Sequence, residues 1–161
     1  CLIYPNVFIG PNTKIGNNVI IRSGSSIGHP GFGFWKNKKG ININLPHVGG
    51  VVIEDNVVLG ALNTVAAGAI HPTVIENNVV TDDHVHIAHN CYISRGVEFT
   101  AGTVLGGSVT VDENAFFGLN STIKDGIYIG KNSYIGSNTN VIKDVPSKET
   151  MIGNPAKILK K

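Results

Sequence analysis

The chain has 161 residues, 42% of them hydrophobic and only 15% charged, a balance that supports one buried core and excludes a disordered segment. Its Lys and Arg total 13 against 11 Asp and Glu, with no basic arm, which argues against nucleic acid as a partner. Cys1 and Cys91 form neither a dense disulfide framework nor a paired zinc spacing, which fits a reducing cytoplasm.

No run of about 18 apolar residues and no charged start leading into an apolar stretch is present, so neither a membrane span nor a signal peptide is expected. The chain opens on Cys1 rather than Met, as a piece of a longer protein would. Its 20 glycines and many asparagines, mixed with Val and Ile, point to short strands joined by tight corners.

In chain order, an apolar residue recurs every six positions: Ile3, Ile9, Ile15, Ile21 and Ile27, then Ile53, Leu59 and Val65, then Ile75 through Ile93, Leu105, Phe117 and Ile129 to Val141, with Thr81 the one polar member. That period fits neither a helix nor a hairpin; it suits a strand of about four residues plus a two-residue corner. Three such units make a triangular coil of about 18 residues, a repeat architecture in which residues one coil apart are vertical neighbours. A sandwich of short strands would not hold that register.

Two interruptions break it. The first, about 29–50, carries Gly, Pro, Asn and Lys with embedded aromatics and reads as an ejected loop. The second adds four residues around Ala69 to Thr73, where Pro72 forces a corner. Insertions in repeat scaffolds gather on one face and build binding sites. After Val141 the repeat gives way, Pro146 and Pro155 end the coils, and the last residues are expected to form a short basic helix. The division expected is a β-helix over 1–145 and a tail over 146–161.

The strings SGSSIGHPGFGF, VGGVVIEDNVVLGALNTV, VTDDHVHIAHN and AGTVLGGSV resemble the central β-helix of the UDP-3-O-(3-hydroxyacyl)glucosamine N-acyltransferase family, over roughly residues 2 to 130. The resemblance implies an all-β, single-stranded left-handed parallel β-helix, assembled as a homotrimer. It also implies acyl transfer from a thioester of coenzyme A or acyl carrier protein to the amine of a nucleotide-linked sugar, as in lipid A or surface polysaccharide synthesis, with no permanently bound cofactor and no metal.

By the same resemblance His89, in IAHN, is the general base, a role suited to a group that titrates near neutrality. One coil on from His89 is Gly107, where the lack of a side chain lets a substrate approach the backbone N–H as an oxyanion donor requires; similar enzymes use a backbone amide there. His86, Asn90, Asp82 and Asp83 are candidates to orient His89 or contact the sugar. Phe32 and Phe34, with Trp35, are candidates for a wall along the acyl or pantetheine arm, with Gly31 and Gly33 turning the loop. The closing IGNPAK resembles the tail of acetyl-CoA-dependent sugar acetyltransferases, which implies contacts from Gly153, Asn154 and Lys157, joined by Lys160 and Lys161, to coenzyme A.

Departures from the family leave alternatives open. Ala66 to Pro72 replaces a charged Asp-Arg-containing segment, and a second family histidine expected near Lys124 to Gly126 is absent. The uridine-binding domain and the helical extension that meets the carrier protein are absent from the sequence as well. An acetyl-CoA-dependent sugar O- or N-acetyltransferase and a non-catalytic trimeric scaffold are the rivals. His84 and His89 have the spacing of a zinc pair in γ-class carbonic anhydrases, with His47 near a third position, but the surrounding Arg, Asp and Gln signals are missing.

Overall fold

The computed structural model describes residues 1–159, which wind into a parallel β-solenoid of three sheets containing nine, seven and six strands. Each complete coil contributes one short strand to each of the three sheets, so its consecutive strands lie on different faces of a triangular prism. The register follows the six-residue period: Ile87 stacks on Leu105, Leu105 on Ile123 and Ile123 on Val141. These residues point inward and are almost fully buried; each contributes about 1.5–3 kcal/mol relative to exposure. Ile3 and Ile9 remain 42% and 40% exposed because only one neighbouring coil covers them.

Most strands pair over only two residues, as in His86–Ile87 and Val104–Leu105, shorter than the four expected. The corners take the remainder, turning through residues with positive φ such as Asn56, Asn78, Asn114 and Asn138. Asparagine tolerates this left-handed region better than other side chains with a Cβ. Thr81 is polar because it serves a buried corner: its hydroxyl accepts from the Gly60 N–H at 3.0 Å and from the Asn63 side chain, while Asn63 Oδ1 accepts from Val85 N at 2.7 Å.

Both interruptions leave the inward residues on either side paired, with one register shift where Ala66 and Ala67 pair with His29 and Pro30. Ile15 pairs with Ile53 across the first, and Val65 with Ile87 across the second. The first contains order not foreseen from sequence: Phe34–Lys36 and Asn42–Asn44 form an antiparallel hairpin, its turn closed by Asn37 Oδ1 accepting from Lys39 N at 2.9 Å and Ile41 N at 3.1 Å. The two insertions also bind each other, with Val48 N donating to Ala69 O and Gly49 N to Gly68 O, both at 2.9 Å.

The tail departs from expectation. Parallel stacking continues past Val141, with Thr150–Ile152 pairing on Tyr134–Ile135. Instead of a basic helix, Lys157–Ile158 folds back antiparallel on that strand. A helix this short is marginal in water, whereas the open edge offers backbone partners that a returning strand satisfies. Lys160 and Lys161 lie outside the described residues.

Candidate active site

The solenoid converts sequence separation into a column. Ser108 N donates to His89 O and Gly126 N to Gly107 O, each at 2.9 Å, so the corners carrying His89, Gly107 and Asp125 lie on three successive coils. They border a cleft of about 730 Å3, whose walls include His29, Phe32, Phe34, Ala66, His86, Val104 and Ser108. The seven-stranded face forms its floor and the first insertion overhangs it.

A hydrogen-bond chain fixes the state of His89. Asn90 Nδ2 donates to His71 O at 3.1 Å, and Asn90 Oδ1 accepts from Ala69 N at 3.1 Å, which sets the orientation of the amide. The same Oδ1 lies 3.1 Å from His89 Nδ1. A carboxamide oxygen only accepts, so Nδ1 carries the proton and Nε2 of the neutral ring keeps its lone pair, the arrangement a general base needs. The four-residue insertion thus acts on His89 at one remove: it holds Asn90, and Asn90 holds the tautomer.

That lone pair lies over Gly107. A Cβ built on Gly107 would stand 2.6 Å from Cε1 and 2.7 Å from Nε2 of His89, closer than non-bonded atoms approach. Only glycine leaves room for the ring. Among the described residues the Gly107 N–H donates to no protein acceptor, while its neighbours Gly106 and Ser108 are tied to Ile123 O and His89 O. An unpaired amide at a cleft wall is the donor an oxyanion requires.

The first insertion packs on the same ring. His47 meets His89 edge-to-face with centroids 5.2 Å apart, and its Nδ1–H donates to Leu45 O at 2.9 Å. Gly31 fits because a Cβ there would lie 2.8 Å from both His47 Nε2 and His89 Cβ. Phe32 and Phe34 meet edge-to-face at 5.1 Å and stay exposed, by 85% and 47%, as an apolar lip over the cleft.

Two further histidines line the floor. His86 Nδ1 is 2.6 Å from Thr64 Oγ1, and its pKa is held below the ordinary histidine value, first by burial and then by nearby His29. His29 donates from Nδ1 to Pro30 O at 2.9 Å, leaving Nε2 buried without a protein partner. Burial thus favours the neutral form of His86 on this polar floor.

Family models match two stretches: "Bacterial transferase hexapeptide (six repeats)" over residues 1–29 and "Hexapeptide repeat of succinyl-transferase" over residues 108–142. The chain belongs to the hexapeptide-repeat family. Across 155 residues it is 39% identical to the UDP-3-O-acylglucosamine N-acyltransferase of Wolinella succinogenes, covering 96% of this chain and 49% of the relative. The corresponding enzyme of Caulobacter vibrioides is 41% identical over 161 residues, or 100% of this chain and 47% of that one. The chain therefore spans about half the length of the curated relatives it matches. The UDP-N-acetylglucosamine acyltransferase structure of Francisella novicida superposes with a TM-score of 0.82 at 30% identity, covering 91% of this chain and 51% of that chain. The fold shared with these relatives is the left-handed parallel β-helix.

The other residues singled out from sequence divide. His86, Phe32 and Phe34 join His89 and Gly107 around the cleft of this hexapeptide-repeat chain; Asp82 and Asp83 do not line it. Asp83 Oδ1 accepts from Ala61 N at 2.7 Å, a corner bond. Asn90 sits behind His89 rather than in the cleft. Gly153, Asn154 and Lys157 border a separate hollow at the tail. His84 occupies a positive-φ corner, and among the described residues no three His, Cys, Asp or Glu are grouped to hold a metal ion. Cys91 donates to Gly106 O at 3.2 Å, but burial pushes its thiol up to about 12, so it stays protonated and is no nucleophile. Sequence reasoning assigned no role to His29 or Asp125 and weighed His47 only as a metal ligand.

Two outcomes follow from this geometry. Gly107→Ala keeps an ordinary backbone conformation but displaces the His89 ring, and is expected to lower any reaction that uses His89 as a base by about 10² with the far-UV spectrum unchanged. Because folding lowers the His86 pKa from its usual 6.5, the unfolded chain binds more protons below that pH, so stability falls as pH drops from about 6.5 toward the lowered folded value. Thermal midpoints at pH 7.5 and 5.5 should differ less in His86→Gln than in the parent chain.

Proposed function

We propose that this chain moves an acyl group from a thioester to the amine of a nucleotide-linked sugar, the N-acyl transfer of lipid A or surface-polysaccharide synthesis. The observation that carries this reading is His89 Nε2, left with its lone pair because Nδ1–H donates to Asn90 Oδ1, and set over the free amide of Gly107. The amine attacks the thioester carbonyl and His89 Nε2 takes one of its protons. The carbonyl oxygen becomes an oxyanion held by Gly107 N–H. The C–S bond breaks, and the departing thiolate receives the proton from His89. The relatives' names supply the acceptor class; Phe32, Phe34 and Val104 suit an apolar acyl chain.

A donor of the coenzyme A or carrier-protein kind fits the same face. His86, Val104, Thr122 and Asn140 stack in register along it, and Asn140 Nδ2 reaches Asn154 Oδ1 at 3.2 Å. Gly153, Asn154 and Lys157 thus lie beyond one end of a track running from the cleft, about 14 Å from His86 to Asn140 at the usual strand spacing, where the phosphate end of a pantetheine arm would fall. This placement favours the second reading, in which acetyl-CoA is the donor. Such thioesters are cytoplasmic, and the proposed site of action is the cytoplasm. A homotrimer completes the reading, since the cleft is open on the side of exposed Phe32 and a single prism face offers little enclosure.

The test is thiol release from acetyl-CoA and from a longer 3-hydroxyacyl thioester, with UDP- and dTDP-amino sugars as acceptors. One donor–acceptor pair should react, His89→Ala should reduce the rate by about 10² or more, and sedimentation should give three times the 17.0 kDa chain mass. No release from any pair, or an unimpaired mutant, sinks the catalytic reading; a monomer sinks the trimer.

A further inference from the structure

Asp125 borders the same cleft as His89 and Gly107. It occupies the same corner as they do, two coils beyond His89. Two coil spacings put the two backbones about 9–10 Å apart. The His89 ring leans over Gly107, and the cleft runs on from there along the corner to Asp125. Gly107 contributes no side chain to fill it.

The carboxylate is also unspent. Asp55 and Asp144 accept backbone N–H groups, Asp83 accepts Ala61 N, and Asp112 accepts both Glu113 N and the Tyr128 hydroxyl. Asp125, like Asp82, accepts from nothing among the described residues; it is exposed and, unlike Asp82, borders the cleft.

We infer that Asp125 is a specificity-determining residue that selects an amine over a hydroxyl as the acyl acceptor. This rests on the acyl-transfer reading above. A hydroxyl nucleophile has one proton and gives it to His89. An amine has two: one goes to His89 Nε2, and the other stays on nitrogen, pointing across Gly107 at the Asp125 carboxylate. As the N–C bond forms, nitrogen becomes positive, and a carboxylate bordering the cleft stabilises that charge while receiving no proton itself. The products remain amide and thiol. A hydroxyl acceptor gains nothing from Asp125 and brings its own lone pairs against it.

The test compares UDP-glucosamine with UDP-glucose as acceptors for one acyl-CoA, in the parent chain, Asp125→Ala and Asp125→Asn, alongside equilibrium binding of both nucleotides by calorimetry. Asp125→Ala should lower kcat/KM for UDP-glucosamine by roughly 10- to 100-fold, leave any transfer to UDP-glucose unchanged, and abolish the binding preference for the amine; Asp125→Asn, which keeps an acceptor oxygen, should recover part of the loss. Equal effects on both acceptors, or none, overturn the assignment. If the parent chain transfers to neither, the acyl-transfer reading fails, and binding still decides Asp125: no preference for UDP-glucosamine, or one that survives Asp125→Ala, overturns it.

Discussion

The hydrogen-bonded stacking of one coil on the next is the constraint on which the rest depends. Each coil repeats the path of the one beneath at the strand spacing of about 4.8 Å, with the inward Ile, Leu, Val and Phe residues forming continuous buried columns. A one-residue slip would turn those columns outward and end the ladder. Residues placed at one corner of successive coils are therefore fixed neighbours, and His89, Gly107 and Asp125 form a vertical series without any long-range folding coincidence.

Onto this rigid register the insertions add what a smooth prism face lacks. The first supplies the apolar lip of Phe32 and Phe34 and the His47 ring packed on His89. The second supplies a carbonyl and an amide that Asn90 reads from behind. The two are hydrogen-bonded to each other, so His89 is braced from both sides. Such bracing matters because a base misplaced by about 1 Å loses much of its advantage.

Periodicity is what made the fold and part of the site legible. Counting one coil from His89 found Gly107, and the two breaks in the period located one insertion at the cleft and the other behind His89. Aperiodic features were not legible. The hairpin at Phe34–Lys36, the ring contact from His47 and the buried His29 depend on how an irregular segment folds back, which no spacing encodes. Asp82 and Asp83 looked suitable because they precede the IAHN segment, yet corner geometry points Asp83 at the Ala61 N–H. The tail was misjudged because lysine content suggests a helix, whereas the unpaired edge of Thr150–Ile152 captured Lys157–Ile158 as a strand. Asp125 was hidden for a related reason: the resemblance marks its corner for a histidine, and a lone corner aspartate one coil beyond Gly107 matches no motif.

The protonation of His89 tests the central claim most directly. Nitrogen-15 spectra of histidine-labelled protein, recorded at a pH where the imidazoles are neutral, report which ring nitrogen carries hydrogen. The Asn90 contact predicts a proton on Nδ1 of His89 and a bare Nε2, with the preference lost in Asn90→Ala. A proton on Nε2 in the parent chain would contradict the assignment of His89 as the base, because the nitrogen facing Gly107 would then have no lone pair to offer.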